Sequence, residues 1–316
     1  LNKNGLDILE IKYPCVLLPG FIDSHTHVCH YGNRSDEYAK RNSGISYQQI
    51  LAEGGGIHNT MNSTSNCTDD QLRDNTLKRL KRHFLEGVLT CEVKSGYASS
   101  LEDEIRMLKI INKIDSDNEI DLIPTCLAAH VTPKSFESSK KYLESIINDL
   151  LPKIKEENLS KRVDIFIEEK AFSVSEASHF LKYVKNDFSI TAHANQFTSG
   201  GLSVGVDNGA VSVDHLEVIT DDEINYLSKS NTTGVVLPGC SLGLGIPFAP
   251  ARKLLDNNCK VSIASDWNPG SAPMGDLLMQ ASLLGSNEKL SNAEVLAGIT
   301  CRSASALSLI DRGSLD

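Results

Sequence analysis

The 316-residue sequence has no basic surplus: 31 Lys and Arg stand against 41 Asp and Glu, a net charge of −10. That balance argues against a nucleic-acid partner, whose phosphates need a basic surface. A small anionic substrate stays open, because a single pocket arginine can hold one. No apolar run approaches the ~20 residues of a membrane span, so no membrane partner is expected. None of the eight cysteines forms a CxxC pair, and Cys91 in LTCEVK and Cys126 in PTCLAAH sit inside apolar runs. Buried free thiols of a reducing, cytoplasmic compartment are the expectation. There is no internal repeat and no low-complexity tract. Four sequons, at Asn62, Asn66, Asn158 and Asn231, carry little weight without a secretory signal. The chain opens at Leu1 and stops at DRGSLD, and both ends read as incomplete.

What is present is an alternation. Short β-branched, apolar runs occur at 16–27, 88–94, 121–130, 163–169, 188–194, 211–216, 233–239 and 260–266. Their continuous apolar character fits parallel strands covered on both faces. Helical patterns separate them, several opened by a capping box: Thr68 with Gln71, Ser99 with Glu102, Ser173 with Glu176, Thr220 with Glu223. Eight strands alternating with helices predict a (β/α)8 barrel over residues 16–316; an open doubly wound sheet is the alternative. The 31–67 connection, rich in Gly, Ser and Asn, is long enough to read as a functional loop.

A barrel of this kind carries its chemistry at the C-terminal ends of its strands. Of nine histidines, five fall there: His25 and His27, His130, His193 and His215. His25 and His27 are two apart on a strand and so share a face, a start for a metal site. A catalytic site wants three or four protein ligands and an open position, and His193 and Asp266 are the candidates to complete it. Asp266 ends an apolar strand, where a carboxylate needs a metal or hydrogen bonds. A metal there would lower the pKa of bound water toward ~7, and Asp266 could take the proton. His215 could polarise the carbonyl or handle a proton, or be a core histidine satisfied by Asp214. His30, past the strand end, is read as a surface or loop residue, and His58, His83 and His179 as structural. Lys94 is read as an ion-pair partner, with Glu92 nearby. Arg34 alone is equally a solvated arginine among Asp36 and Glu37.

The longer motifs add a resemblance. PGFIDSHTHV, GNRSDEYAKR, AEGGGI, EVKSGY, PTCLAAH, VDIFIEEKAFS, AHANQF, GAVSVDHLE, VVLPG and SDWNPGSAPM, in that order, resemble the imidazolonepropionase family of the amidohydrolase superfamily over residues 14 to 312. The resemblance implies hydrolysis of 4-imidazolone-5-propanoate to N-formimino-L-glutamate in histidine degradation, with one zinc or iron ion. It implies His25, His27, His193 and Asp266 as metal ligands, and His215 and Asp266 as catalytic groups. Arg34, Tyr97, His130, Gln196, Asn268, Gly270 and Ser271 are implied as substrate-binding residues. An arginine fork suits the substrate's propionate. Gln196 stands where some members have glutamate; an amide hydrogen-bonds but cannot shuttle a proton. The family tends to be dimeric and carries a small β-sandwich built from both chain ends, of which only residues 1–15 would remain here. A related hydrolase of the cytosine-deaminase kind, or a metal-binding barrel without catalysis, are the other readings.

Overall fold

The computed structural model describes residues 11–45, 49–50, 55–116 and 119–315. Within them lie eight strands: β1 Phe21–Asp23, β2 Val88–Lys94, β3 Asp121–Ala129, β4 Arg162–Ile167, β5 Ser189–Ala194, β6 Ser212–His215, β7 Thr233–Val236 and β8 Val261–Ile263. All neighbours pair in parallel, in chain order from β1 to β8. The sheet then closes on itself. Thr26 bridges Trp267, His27 N donates to Trp267 O (3.1 Å), and Asp266 N donates to His25 O (3.1 Å). This is the barrel rather than the open sheet.

The closing seam has a consequence for chemistry. Three of the four expected ligands, His25, His27 and Asp266, are held by the backbone bonds that shut the barrel. Strand one is shorter than the 16–27 apolar run predicts. Val16 and Leu17 precede β1 and are exposed, because no neighbouring strand extends far enough to pair them.

Helices wrap the outside where the patterns predict. Those used below are α1 Ser35–Asn42, α2 Ile57–Asn66, α3 Asp69–Leu85, α4 Leu101–Asp115 and, following β7, α5 Pro238–Leu244. The boxes at Thr68, Ser173 and Thr220 form with both reciprocal bonds. The fourth expected box is one residue off. Ser100, not Ser99, caps α4 by accepting from Asp103 N, while Ser99 N donates to Ser65 Oγ (3.1 Å). Among its described residues the 31–67 connection carries α1 and α2; Gly54, with part of AEGGGI, lies outside the described residues.

The barrel interior is charged at its centre. Lys94 on β2 reaches Glu92 (2.7 Å) and, across the barrel, Asp164 on β4 (2.8 Å), all fully buried. Burial opposes the Lys94 charge, but Asp164 and Glu92 outweigh it and hold the ammonium protonated. The expected Lys94–Glu92 pair is thus present, enlarged by a second acid. Loss of Lys94 would strand two acids in a low dielectric, whereas loss of one acid leaves the ammonium its other partner.

Candidate active site

Four donor atoms converge at the C-terminal mouth of the barrel. Nε2 of His25 lies 3.3 Å from Nε2 of His27, which lies 3.3 Å from Nε2 of His193. Asp266 Oδ1 is 3.4 Å from His25 Nε2 and 3.5 Å from His27 Nε2. Bonds of ~2.0–2.1 Å to one ion place neighbouring tetrahedral corners about 3.3 Å apart. The donor set therefore fits a single first-row divalent ion.

Second partners fix the outward ring nitrogens. His25 Nδ1 donates to Asp214 Oδ2 (2.6 Å) across the barrel, and His193 Nδ1 lies 2.9 Å from Asp164 Oδ2. Each carboxylate holds the tautomer whose Nε2 lone pair faces inward. Burial first, then nearby Lys94 and histidine charges, hold His25 and His27 well below 6.5. Burial also takes His193 to about 4, against the pull of Asp164. Neutral imidazoles are what a metal needs. Burial pushes the Asp214 carboxyl up to about 7, and Asp266 up to about 6.

Asp266 and His215 share a backbone oddity. Their φ angles are +49° and +91°, in the left-handed region that non-glycine residues seldom occupy. Sequence patterns give no hint of this; such strain concentrates at functional sites. His215 Nδ1 stands 3.4 Å from Glu217 Oε2. Burial lowers its pKa, but Glu217 outweighs burial and the net shift is upward. Its ring lies 5.3 Å from that of His193 and 5.8 Å from that of His25.

Aromatic and imidazole rings line one side. His130 stacks on His27 (5.2 Å, 25°), and Tyr97 lies 5.7 Å from His27 and 5.5 Å from His130. His130 Nδ1 donates to Gly96 O (3.1 Å), in the turn that Glu104 fastens by accepting from Gly96 N. Gln196 Nε2 donates to Cys240 Sγ (3.1 Å).

The loop after β8 is closed on itself. Asn268 Oδ1 accepts from Gly270 N (2.7 Å) and Ser271 N (2.8 Å), while Asn268 Nδ2 and Ser271 Oγ donate to Asp266 Oδ2 (2.7 and 2.9 Å). These groups hold Asp266 in its turned conformation. Arg34, at the start of α1, packs on this loop: a Cβ on Gly270 would overlap Arg34 Nη1. The arginine's side chain is 8% exposed and paired, Nε and Nη2 both 2.8 Å from Glu37 Oε2. Glu37 Oε1 in turn accepts from Gly56 N (3.0 Å).

Three readings change. His30 is neither surface-exposed nor free: it is 4% exposed, donates from Nδ1 to His27 O (2.8 Å), and burial takes it to about 3. Asp214 satisfies His25, not His215, because adjacent strand residues face opposite ways. Arg34 is not a solvated arginine. His83 is structural as expected, but fully buried against Asp23 Oδ2 (3.1 Å). Asp164, Glu37, Glu217 and Cys240 escaped the sequence reading. The signal for Asp164 was there: an acid in the middle of the apolar run VDIFI must have a partner.

Comparison with known proteins is consistent with this geometry. The amidohydrolase family profile matches residues 16–316. An imidazolonepropionase from Caldanaerobacter subterraneus subsp. tengcongensis is 41% identical over 302 residues, covering 94% of this chain and 72% of that protein. One from Thermoanaerobacter pseudethanolicus is also 41% identical, covering 95% and 72%. In fold, the chain resembles a zinc-bound adenosine deaminase from Xanthomonas campestris: TM-score 0.68 at 14% identity, covering 95% of this chain and 69% of the other.

Proposed function

This chain belongs to the imidazolonepropionases of the amidohydrolase family, and from that premise we propose how its residues open the imidazolone ring. The enzyme hydrolyses the cyclic C–N bond of 4-imidazolone-5-propanoate, giving N-formimino-L-glutamate in histidine degradation. The observation that carries the reading is the convergence of three imidazole Nε2 atoms and Asp266 Oδ1, with Arg34 packed on the loop that holds Asp266.

His25, His27, His193 and Asp266 hold one divalent metal, zinc or iron, both of which accept nitrogen and carboxylate donors. When bound, the metal supplies Lewis acidity, polarising the carbonyl and acidifying a water. Asp266 receives the proton of the attacking water and returns it to the departing ring nitrogen, while Asn268 and Ser271 keep its second oxygen oriented. His215 donates to the carbonyl oxygen as negative charge develops there; Glu217 beside its other nitrogen favours the charged, donating form. Arg34 pairs with the propionate, its fork already set by Glu37 and by the space that Gly270 leaves. Tyr97 and His130 flank the ring, and Gln196 hydrogen-bonds it without moving protons. The catalytic barrel falls within residues 16–316, the stretch that the amidohydrolase family profile matches. A cytoplasmic setting fits the free thiols, and we carry a homodimer over from the family.

The test is direct. Metal-replete protein should remove the ultraviolet chromophore of imidazolone propanoate and yield formiminoglutamate, and chelated protein should do neither. An unchanged chromophore with metal-loaded protein, or equal turnover after metal removal, sinks the reading.

A further inference from the structure

A second group of donors converges beside the first, and only His215 of it enters the reaction described above. One ring nitrogen of His215, a carboxylate oxygen of Glu217 and Cys240 Sγ all lie within 4.8 Å of one another. His215 ends β6, Glu217 follows two residues on, and Cys240 lies on α5 after β7. The side chains of His215 and Glu217 are 4% and 1% exposed, and Cys240 is fully buried.

His215 Nδ1 and Glu217 Oε2 are buried 3.4 Å apart as a long ion pair, and among the described residues neither atom has a shorter hydrogen bond. With only this long contact, the buried carboxylate oxygen has a lone pair open to a further electrophile. The remaining contacts orient the group rather than fill it. Ser241 Oγ donates to Glu217 Oε1 (3.1 Å), and Gln196 Nε2 donates to Cys240 Sγ (3.1 Å).

We propose that His215, Glu217 and Cys240 form a second, thiophilic divalent-metal site, separate from the His25, His27, His193 and Asp266 set, whose filling silences the enzyme. Nitrogen, oxygen and sulfur together select zinc, cobalt or cadmium over magnesium or calcium. Binding forms bonds from the metal to sulfur, nitrogen and oxygen; the S–H proton of Cys240 and the proton on the binding ring nitrogen of His215 leave to solvent, with no change of oxidation state. Three protein ligands against four make this the weaker of the two sites. It fills when metal is in excess. The silencing half of the proposal rests on the function proposed above, since a metal on His215 takes that imidazole away from the developing oxyanion.

Cobalt reads the two halves apart. In a Cys15→Ser/Cys301→Ser background, which removes the two exposed thiols, a first equivalent of Co2+ should give ligand-field bands without a thiolate-to-cobalt charge-transfer band. Further Co2+ should add that band in the near ultraviolet. Cys240→Ser should abolish it while retaining one cobalt per chain. Glu217→Gln should keep the band but shift its midpoint to roughly 10-fold more cobalt. No band with excess cobalt, or an equal band in Cys240→Ser, overturns the site; an unmoved midpoint in Glu217→Gln removes Glu217 from it. These readings need no turnover, so they stand apart from any failure of the imidazolone assay. Excess Zn2+ should then lower turnover roughly 10-fold, reversed by a weak chelator that leaves the first metal bound. Undiminished turnover with the second site full overturns the silencing.

Discussion

His215 and Asp164 show two ways in which one side chain matters. His215 touches the reacting carbonyl in the mechanism above. Replacing it with asparagine should lower kcat by about 10²–10³-fold, the usual cost of one oxyanion donor. The content of the first metal should stay at one per chain. A kcat within a few-fold of the parent would remove His215 from the chemistry. Asp164 acts only through His193 and Lys94. Asp164→Asn should weaken metal binding roughly 10- to 100-fold, read by competition with a chelator, and added metal should restore much of the turnover. Residues of the first kind are legible in sequence because their types and places are specific: a histidine or acid at a strand end. Residues of the second kind are hidden. Asp214 stands next to His215 in the chain yet serves His25 across the barrel. Nothing local to GAVSVDHLE says so, because the pairing is set by the closure of eight strands.

Elements position these side chains, and two show how. The loop after β8 is held by Asn268 and packed under Arg34 at Gly270. Gly270→Ala would push its methyl into the guanidinium, so KM should rise at least ~10-fold with a smaller change in kcat. An unchanged KM would show that Arg34 does not bind substrate. The helix α3 is tied to β1 by His83, which meets Asp23 Oδ2 at 3.1 Å and Glu86 Oε2 at 3.7 Å. Burial alone would lower the imidazole, but hydrogen bonds to Asp23 and Glu86 outweigh it and its pKa is raised above 6.5. A raised folded pKa means the contribution is complete below the unfolded value near ~6.5. It is lost as pH climbs through the folded value. His83→Gln should therefore cost more stability at pH 6 than at pH 9, by about 1–2 kcal/mol, measured by denaturant melts. An equal cost at both would place His83 as packing only. The helix itself was readable from its capping box and apolar spacing; its dock was not. A histidine in DNTLKRLKRHFL carries no sign of an acid on a strand some sixty residues earlier, since that distance closes only when the barrel forms.

At the scale of the molecule, the first metal set spans the fold. Its donors come from the chain after β1, from β5 and from the chain after β8, so one ion would cross-link both sides of the closing seam and the strand opposite. The three buried imidazoles and the buried carboxylate stand only 3.3 to 3.5 Å apart. Binding to the folded state alone stabilises it in proportion to the logarithm of free metal over its dissociation constant, roughly 2.7 kcal/mol at a hundredfold excess. For a chain of this size that is a rise in Tm on the order of 5 °C. Chelation should lower the melting temperature by that much or more, and zinc or iron(II) should raise it again, steadily with the logarithm of concentration once free metal exceeds the dissociation constant. The dependence on metal concentration is the telling part. A simple loss of a structural ligand would move Tm once and stop, whereas linkage moves it steadily with each decade of free metal. A Tm that ignores both chelator and added metal would mean these four donors bind no ion. The proposed chemistry would fall with them, whatever the likeness in sequence.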